Sequence, residues 1–169
     1  MEWALGMIPI VKKEAAFGDH WGNGWPDVSA VERDLSDPEK LAKLFAKGRD
    51  GGCFSIEWIY DKGSSIPQFG VVGAILYMHM HPDHGIKLQY SRWDCRIEKK
   101  ETYHSKGDLA RLKQFVRSFH RTPLSIGLFV PFEIGRKAVK EFLQTDGELP
   151  QSVDWISDDD LPSEVFPLP

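Results

Sequence analysis

Residues 69–93 read FGVVGAILYMHMHPDHGIKLQYSRW, and the way this stretch folds decides the architecture. It opens with the longest apolar run of the chain. It ends among the densest set of chemically able side chains, His79, His81, Asp83 and His84. Read by periodicity, it is a strand, a turn and a second strand. Leu76, Met78 and Met80 alternate with Tyr77, His79 and His81, so one side of the first arm is apolar and the other polar. Pro82-Asp83-His84-Gly85 is turn chemistry: proline fixes φ at the first corner and glycine accepts a positive φ near the end. Ile86, Leu88 and Tyr90 then resume the alternation. A long hairpin inside an antiparallel meander follows. The Tyr77–His79–His81 face is then either bare surface or a patch that a partner touches.

The segments on either side extend the pattern. Upstream, CFSIEWIY at 53–60 places Phe54, Ile56, Trp58 and Tyr60 on one side of a strand and Ser55 and Glu57 on the other. Asp61 to Ser65 is a loop of turn residues. Ser36-Asp37-Pro38-Glu39 starts a helix, with Ser36 as cap, an apolar face of Leu41, Leu44 and Phe45, and Gly48 as its stop. Residues 3–11 form a short strand that Pro9 places at an edge. FGDHWGNGW at 17–25 is a loop pinned to the core by Trp21 and Trp25, or an aromatic recognition loop.

Downstream, Ser105 to Asp108 opens a second helix. Leu109, Leu112, Val116 and Phe119 are its buried stripe, and Lys106, Arg111, Lys113 and Arg117 its basic outer face. Leu124 to Val130 is a buried strand. Pro131 begins a third helix, with Ile134, Ala138 and Phe142 inward and Gly147 past its end. SVDWI at 152–156 is a last short strand, and the proline-rich tail that follows is extended. The expected class is α+β: a single antiparallel β-sheet, a meander, packed with about three α-helices. One domain is expected over 1–169, with 1–35 as a variable N-terminal segment and 157–169 as an extended acidic tail.

The chain has 169 residues, 41% of them hydrophobic, which suffices for one domain with a core. Its two cysteines, Cys53 and Cys95, make neither a disulfide framework nor a zinc ribbon. No apolar run is long enough to span a membrane, and the N-terminus lacks the marks of a signal peptide. A soluble, cytoplasmic protein is expected. Charge is unevenly spread. From Glu141 onward there are eight carboxylates and no Lys or Arg, while the first 140 residues hold 21 basic and 17 acidic residues. Such a chain meets partners through its field, or folds its acidic end over its own basic surface.

His79, His81, Asp83 and His84 also suit a metal site, since imidazole and carboxylate are good zinc ligands. AILYMHMHPDHGI resembles the metal-binding strand end of the metallo-β-lactamase superfamily, and that resemblance implies a metal hydrolase with those four residues as ligands. The remaining histidines weigh against it. His104 and His120 come too early or sit near a helix, and only 85 residues follow His84. No Gly-x-Ser-x-Gly, phosphate-binding glycine loop or His-Glu-x-x-His occurs. Both cysteines fall in expected strands, where a thiol is a small core residue.

FVPFEIGRKAVKEFLQTDGELPQSVDWI at 129–156 is more specific. An apolar strand leads into Val130-Pro131; a helix carries Ala138, Val139, Phe142 and Leu143; then come Gly147, Leu149-Pro150 and Trp155. This resembles the C-terminal signature of immunity protein family one of bacterial polymorphic toxin systems. The resemblance implies a cytoplasmic inhibitor without catalysis or cofactor, serving interbacterial competition by binding a cognate toxin domain such as a nuclease or deaminase. It implies no membrane and no direct nucleic-acid partner. Charge then selects the toxin-binding candidates: Glu148, Asp154, Asp158, Asp159 and Asp160 to enter a basic cleft, with the hairpin tip Pro82, Asp83 and His84 and the loop from Trp21 to Trp25 as the alternatives. A small binding or scaffold module using the basic helix or the aromatic loop is the third reading.

Overall fold

A computed structural model describes residues 8–60 and 71–168. The start of the strand expected over residues 3–11, the loop Asp61–Ser65, and Phe69 and Gly70 lie outside the described residues. The central stretch is a hairpin, as its alternation requires. β4 (Val71–His81) and β5 (Gly85–Asp94) pair antiparallel from Val72 opposite Asp94 to His81 opposite Gly85. Gly85 closes the turn at φ 97°, and a Cβ there would collide with the Val130 carbonyl. Both the angle and the space therefore demand glycine.

The sheet grows outward from this hairpin. On one side β3 (Gly51–Ile59) pairs with β4, β1 (Ile10–Phe17) pairs with β3, and β2 (His20–Asn23) pairs with β1. On the other side β6 (Lys99–Ser105) pairs with β5, and β10 (Trp155–Ser157) pairs with β6. A two-residue strand, β9 (Phe129–Val130), shares the outer edge of β5 with β6: Ile86 and Lys87 face β9, while Gln89 to Asp94 face β6. The eight strands are antiparallel throughout, in the order β10-β6-β5-β4-β3-β1-β2 with β9 beside β5. With three helices this is the expected α+β class. β1 starts after Pro9 and lies between β3 and β2, so the expected edge position is corrected.

The helices cover one side of the sheet. α1 (Val28–Ser36) is capped by Asp27, and α2 (Pro38–Ala46) by Asp37, whose carboxylate accepts from Glu39 N–H at 2.9 Å. Ser36 is thus the last residue of one helix and not the cap of the next. Its hydroxyl turns back to the Glu32 and Arg33 carbonyls. α3 (Phe132–Gln144) follows Pro131 as expected. Ala138, Val139 and Phe142 are fully buried, whereas Ile134 is 38% exposed and so not an inward residue. Gly135 brings α3 close enough to β5 that an added Cβ would lie 2.8 Å from Ile86 Cβ. Phe142 meets Tyr90 edge-on at 6.1 Å, and Tyr90 donates to the Gly147 carbonyl at 2.8 Å. The core is this layer: Phe54, Ile56, Leu76, Met78, Leu88 and Tyr90 below, α1 and α3 above.

Between β6 and β9 the expected second helix does not form. A single 3-10 turn at Leu109–Arg111 leads to a small hairpin of β7 (Phe115–Arg117) and β8 (Pro123–Ser125). Ser105 is no cap. It is buried, donating to the Leu128 carbonyl at 2.6 Å and accepting Leu88 N–H at 2.9 Å. The expected strand 124–130 is broken by a 3-10 turn at Ile126–Leu128. The tail is not extended either: 3-10 turns occupy Asp158–Asp160 and Ser163–Val165, and Val165 is buried. Cys95 lies in the turn after β5 and not in a strand, and both cysteines are free thiols. Trp25 does pin its segment. Its N–H reaches the Glu14 and Ser55 carbonyls, and its ring packs at 5.5 Å from Phe142. Trp21 does not, being 70% exposed. Among the described residues no helix is long and apolar enough to cross a membrane.

Candidate functional site

A sheet with helices on one side leaves its other side to be accounted for. Strand alternation dictates which residues stand there. If Leu76, Met78, Leu88 and Tyr90 face the helices, then Ile75, Tyr77, His79, Gln89, Ser91 and Trp93 face away. This second side is a shallow trough with two depressions that meet at Tyr77. The first, about 630 Å³, has Ile75, Tyr77, Gln89 and Trp93 as its floor. The second, about 490 Å³, lies between Tyr77, His79, Cys53 and Trp21 on the sheet and Phe119 and His120 on the loop between β7 and β8.

Glycines set the aromatic rings into this side. A Cβ on Gly73 would collide with the Trp93 indole, so the ring lies directly over the backbone of β4. A Cβ on Gly48 would lie 2.6 Å from the Phe119 ring. Asp50 fixes the same loop by accepting the Phe119 N–H at 2.7 Å. Tyr77 is 42%, Phe119 63% and Trp21 70% exposed. Large rings held flat by glycine present apolar area with little freedom left to lose, which suits recognition.

Beneath one end of the trough lies a buried polar set. Lys87 stands opposite His79 across the β4–β5 ladder and is almost fully buried; among the described residues no carboxylate pairs with it. Burial alone pulls its ammonium down to about 8. His79 is held down at about 4, first by burial, then by the Lys87 charge, with Asp50 acting the other way. His104 is 2% exposed, and its Nε2 donates to Asp158 Oδ1 at 2.8 Å. Its pKa is lowered by burial more than Asp158 raises it, so the ring is neutral at pH 7. The remaining nitrogen, Nδ1, is buried without a partner among the described residues.

The sequence-selected residues are dispersed. Asp158 and Asp159 line a depression with Lys100, Glu101 and Thr102 beside β6, and Thr102 bonds Ser91 at 3.0 Å, so this acidic lip borders the trough. Asp160 is exposed in the same 3-10 turn. Asp154 is exposed just before β10, where its carbonyl accepts Lys106 N–H. Glu148 is on the helix side, 3.6 Å from Arg92. Pro82 lines a groove of about 510 Å³ with Leu35, Leu41 and Phe132, also on the helix side, and Asp83 and His84 sit at the hairpin tip. The acidic end is therefore partly folded back onto the protein: Asp158 accepts from the neutral His104 ring, Glu148 lies by the Arg92 cation, and Asp146 pairs with Lys13 at 2.9 Å.

The metal reading gains no support. His81 Nδ1 accepts the Asp83 N–H at 3.1 Å, and its ring lies 4.8 Å from His84. His79 is set apart beside the Lys87 cation, which repels a metal. Among the described residues no three His, Cys, Asp or Glu side chains are grouped to hold an ion.

Sequence reading missed Gln89, Ser91, Trp93 and Phe119. The first three carried a usable signal: they alternate with Leu88, Tyr90 and Arg92 on the strand that follows the turn. Phe119 carried none, because its place in a helical spacing pointed inward.

A family model described as Immunity protein Imm1 matches residues 30–157. No curated protein matches the chain, and no solved structure does.

Proposed function

This chain belongs to the Imm1 immunity protein family, and on that premise we propose that it neutralises a cognate bacterial toxin by direct binding, without chemistry of its own. The family match over residues 30–157 is the observation that carries the reading, since it spans α2, α3, all of α1 but its first two residues, and all strands from β3 on. The toxin belongs to a polymorphic system used in interbacterial competition and acts in the cytoplasm on nucleic acid or nucleobases. Its cleft is cationic, because it must hold phosphates.

Charge supports the arrangement of contacts. Asp158, Asp159 and Asp160 stand exposed on one turn, and Asp154 is exposed nearby in sequence. Facing a cationic cleft, such a cluster speeds encounter more than it tightens the final complex. An inhibitor that must act before damage is done benefits from speed.

The test uses the toxin domain encoded beside this chain's own gene. Co-expression is expected to restore growth, and the two proteins to elute together at equal stoichiometry. Reversing Asp158, Asp159 and Asp160 to Lys is expected to slow association by roughly tenfold and to weaken its salt dependence. No rescue and no complex from the unaltered chain overturns the neutralising role. An unchanged association rate in the reversed variant overturns the acidic contact alone.

A further inference from the structure

We propose that the toxin docks on the helix-free side of the sheet, over Tyr77 and Trp93, and not on the helices or the hairpin tip. The proposal rests on the neutralising role and adds the surface and the chemistry it recognises.

Three observations converge on this side. It carries large rings that folding has not used: Tyr77 and Phe119 are exposed, and Trp93 lies over Gly73 where a methyl group would displace it. The equivalent positions on the other side of the same strands, Leu76, Met78 and Leu88, are buried against helices. The trough is continuous, since both depressions share Tyr77, and the acidic depression is joined to it through the Ser91–Thr102 bond. It is also charged in one sense at that end. Lys99 is consumed by Glu101 at 3.1 Å and Asp94 by Arg96 at 2.9 Å. That leaves Glu98, Asp158 and Asp159 against Lys100 on the rim.

An aromatic floor beside an anionic lip fits one kind of occupant. It is a protein surface that places an apolar or aromatic side chain on Tyr77 and Trp93 and a Lys or Arg between Asp158 and Glu98. The cationic lip of a phosphate-binding cleft has that composition. Central rings then carry most of the affinity, and the acidic rim sets orientation. Single-stranded nucleic acid also stacks on sheet aromatics, but the anionic rim opposes its phosphates.

The experiment measures binding of the neighbouring-gene toxin domain to the full chain and to three variants by titration calorimetry. Tyr77→Ala and Gln89→Arg alter the trough, and Lys137→Ala alters an exposed position of α3. Thermal melts are recorded for each, and the unaltered chain is also titrated with a mixed single-stranded oligonucleotide. Expected is a roughly tenfold or greater loss of affinity for each trough variant, with melts unchanged and Lys137→Ala binding like the unaltered chain. Tight binding by both trough variants overturns the docking surface and leaves the neutralising role standing. So does oligonucleotide binding that Tyr77→Ala abolishes. If the unaltered chain neither binds nor protects, the neutralising role falls and this surface with it.

Discussion

Phe54, Ile56, Leu76, Met78, Leu88 and Tyr90 are each at most 2% exposed on the helix side of the sheet. Their sequence neighbours Ser55, Ile75, Tyr77, His79 and Gln89, on the other side of the same strands, all keep surface in water. The two sides use aromatics and glycines differently. On the helix side glycine admits another element: Gly135 lets α3 approach Ile86, and Gly147 takes the Tyr90 hydroxyl. On the open side glycine admits a ring, as Gly73 does for Trp93. Cohesion and display are thus separated by a single backbone thickness, and a substitution on one side need not disturb the other.

The largest expected effect lies on the helix side. Phe142→Ala removes a fully buried ring that touches both Trp25 and Tyr90, and is expected to cost about 3–5 kcal/mol in urea denaturation. A loss under about 1 kcal/mol would mean that this layer is not what holds the fold. A smaller effect is expected from Gly73→Ala. The added methyl must push the indole aside, costing about 1–3 kcal/mol and changing the near-ultraviolet dichroism of tryptophan. A variant as stable as the parent with an unchanged spectrum would show that Trp93 is not seated on the backbone.

The smallest effect comes from acid, and it belongs to the open side, where His79 faces Lys87 and Asp50. Burial, then Lys87, holds His79 at about 4 in the folded chain, against an ordinary value near 6.5 when unfolded. As pH falls the unfolded chain therefore takes up the proton first. Stability is full above about 6.5 and is lost progressively toward 4. Going from pH 7 to pH 6 is expected to cost about 0.7 kcal/mol through this residue, and His79→Gln to remove that part. His104, lowered chiefly by burial, adds in the same direction. Stability that is flat or rising on acidification would contradict the buried setting of His79.

Where alternation and turn chemistry agree, the fold was legible. β3, β4 and β5 follow from strict apolar spacing and from Pro82-Asp83-His84-Gly85, and α3 from Ala138, Val139 and Phe142. The segment 105–119 misled because Leu109, Leu112, Val116 and Phe119 fall at helical spacing. There the backbone finds partners across the chain: Ile126 N–H donates to the Gln114 carbonyl at 2.8 Å, and Ser125 Oγ to Leu112 at 2.7 Å. Added Cβ atoms at Gly107 and Gly127 would strike backbone, so this close crossing excludes a helix cylinder. Tertiary pairing overrode local spacing. α1 was missed because Ser36-Asp37-Pro38-Glu39 reads as the start of a first helix, which puts residues 28–35 in the N-terminal segment, whereas Ser36 ends α1 and only Asp37 separates it from α2. The candidate site was half legible. Tyr77 and His79 were assigned to the outward face from alternation alone. Which charges border them depends on β10 returning to pair with β6, a contact between positions some fifty residues apart in the chain.

That return also fixes when the molecule can become competent during synthesis. β10 is the last strand in chain order, yet it completes an edge of the sheet, and Asp158 reaches His104 only once β10 has paired. The meander from β3 to β6 can form as it leaves the ribosome. The anionic lip cannot be in place until β10 and the turn Asp158–Asp160 have emerged. A nascent chain would therefore present its aromatic floor before its charged border, and its first encounters with a partner would lack electrostatic guidance.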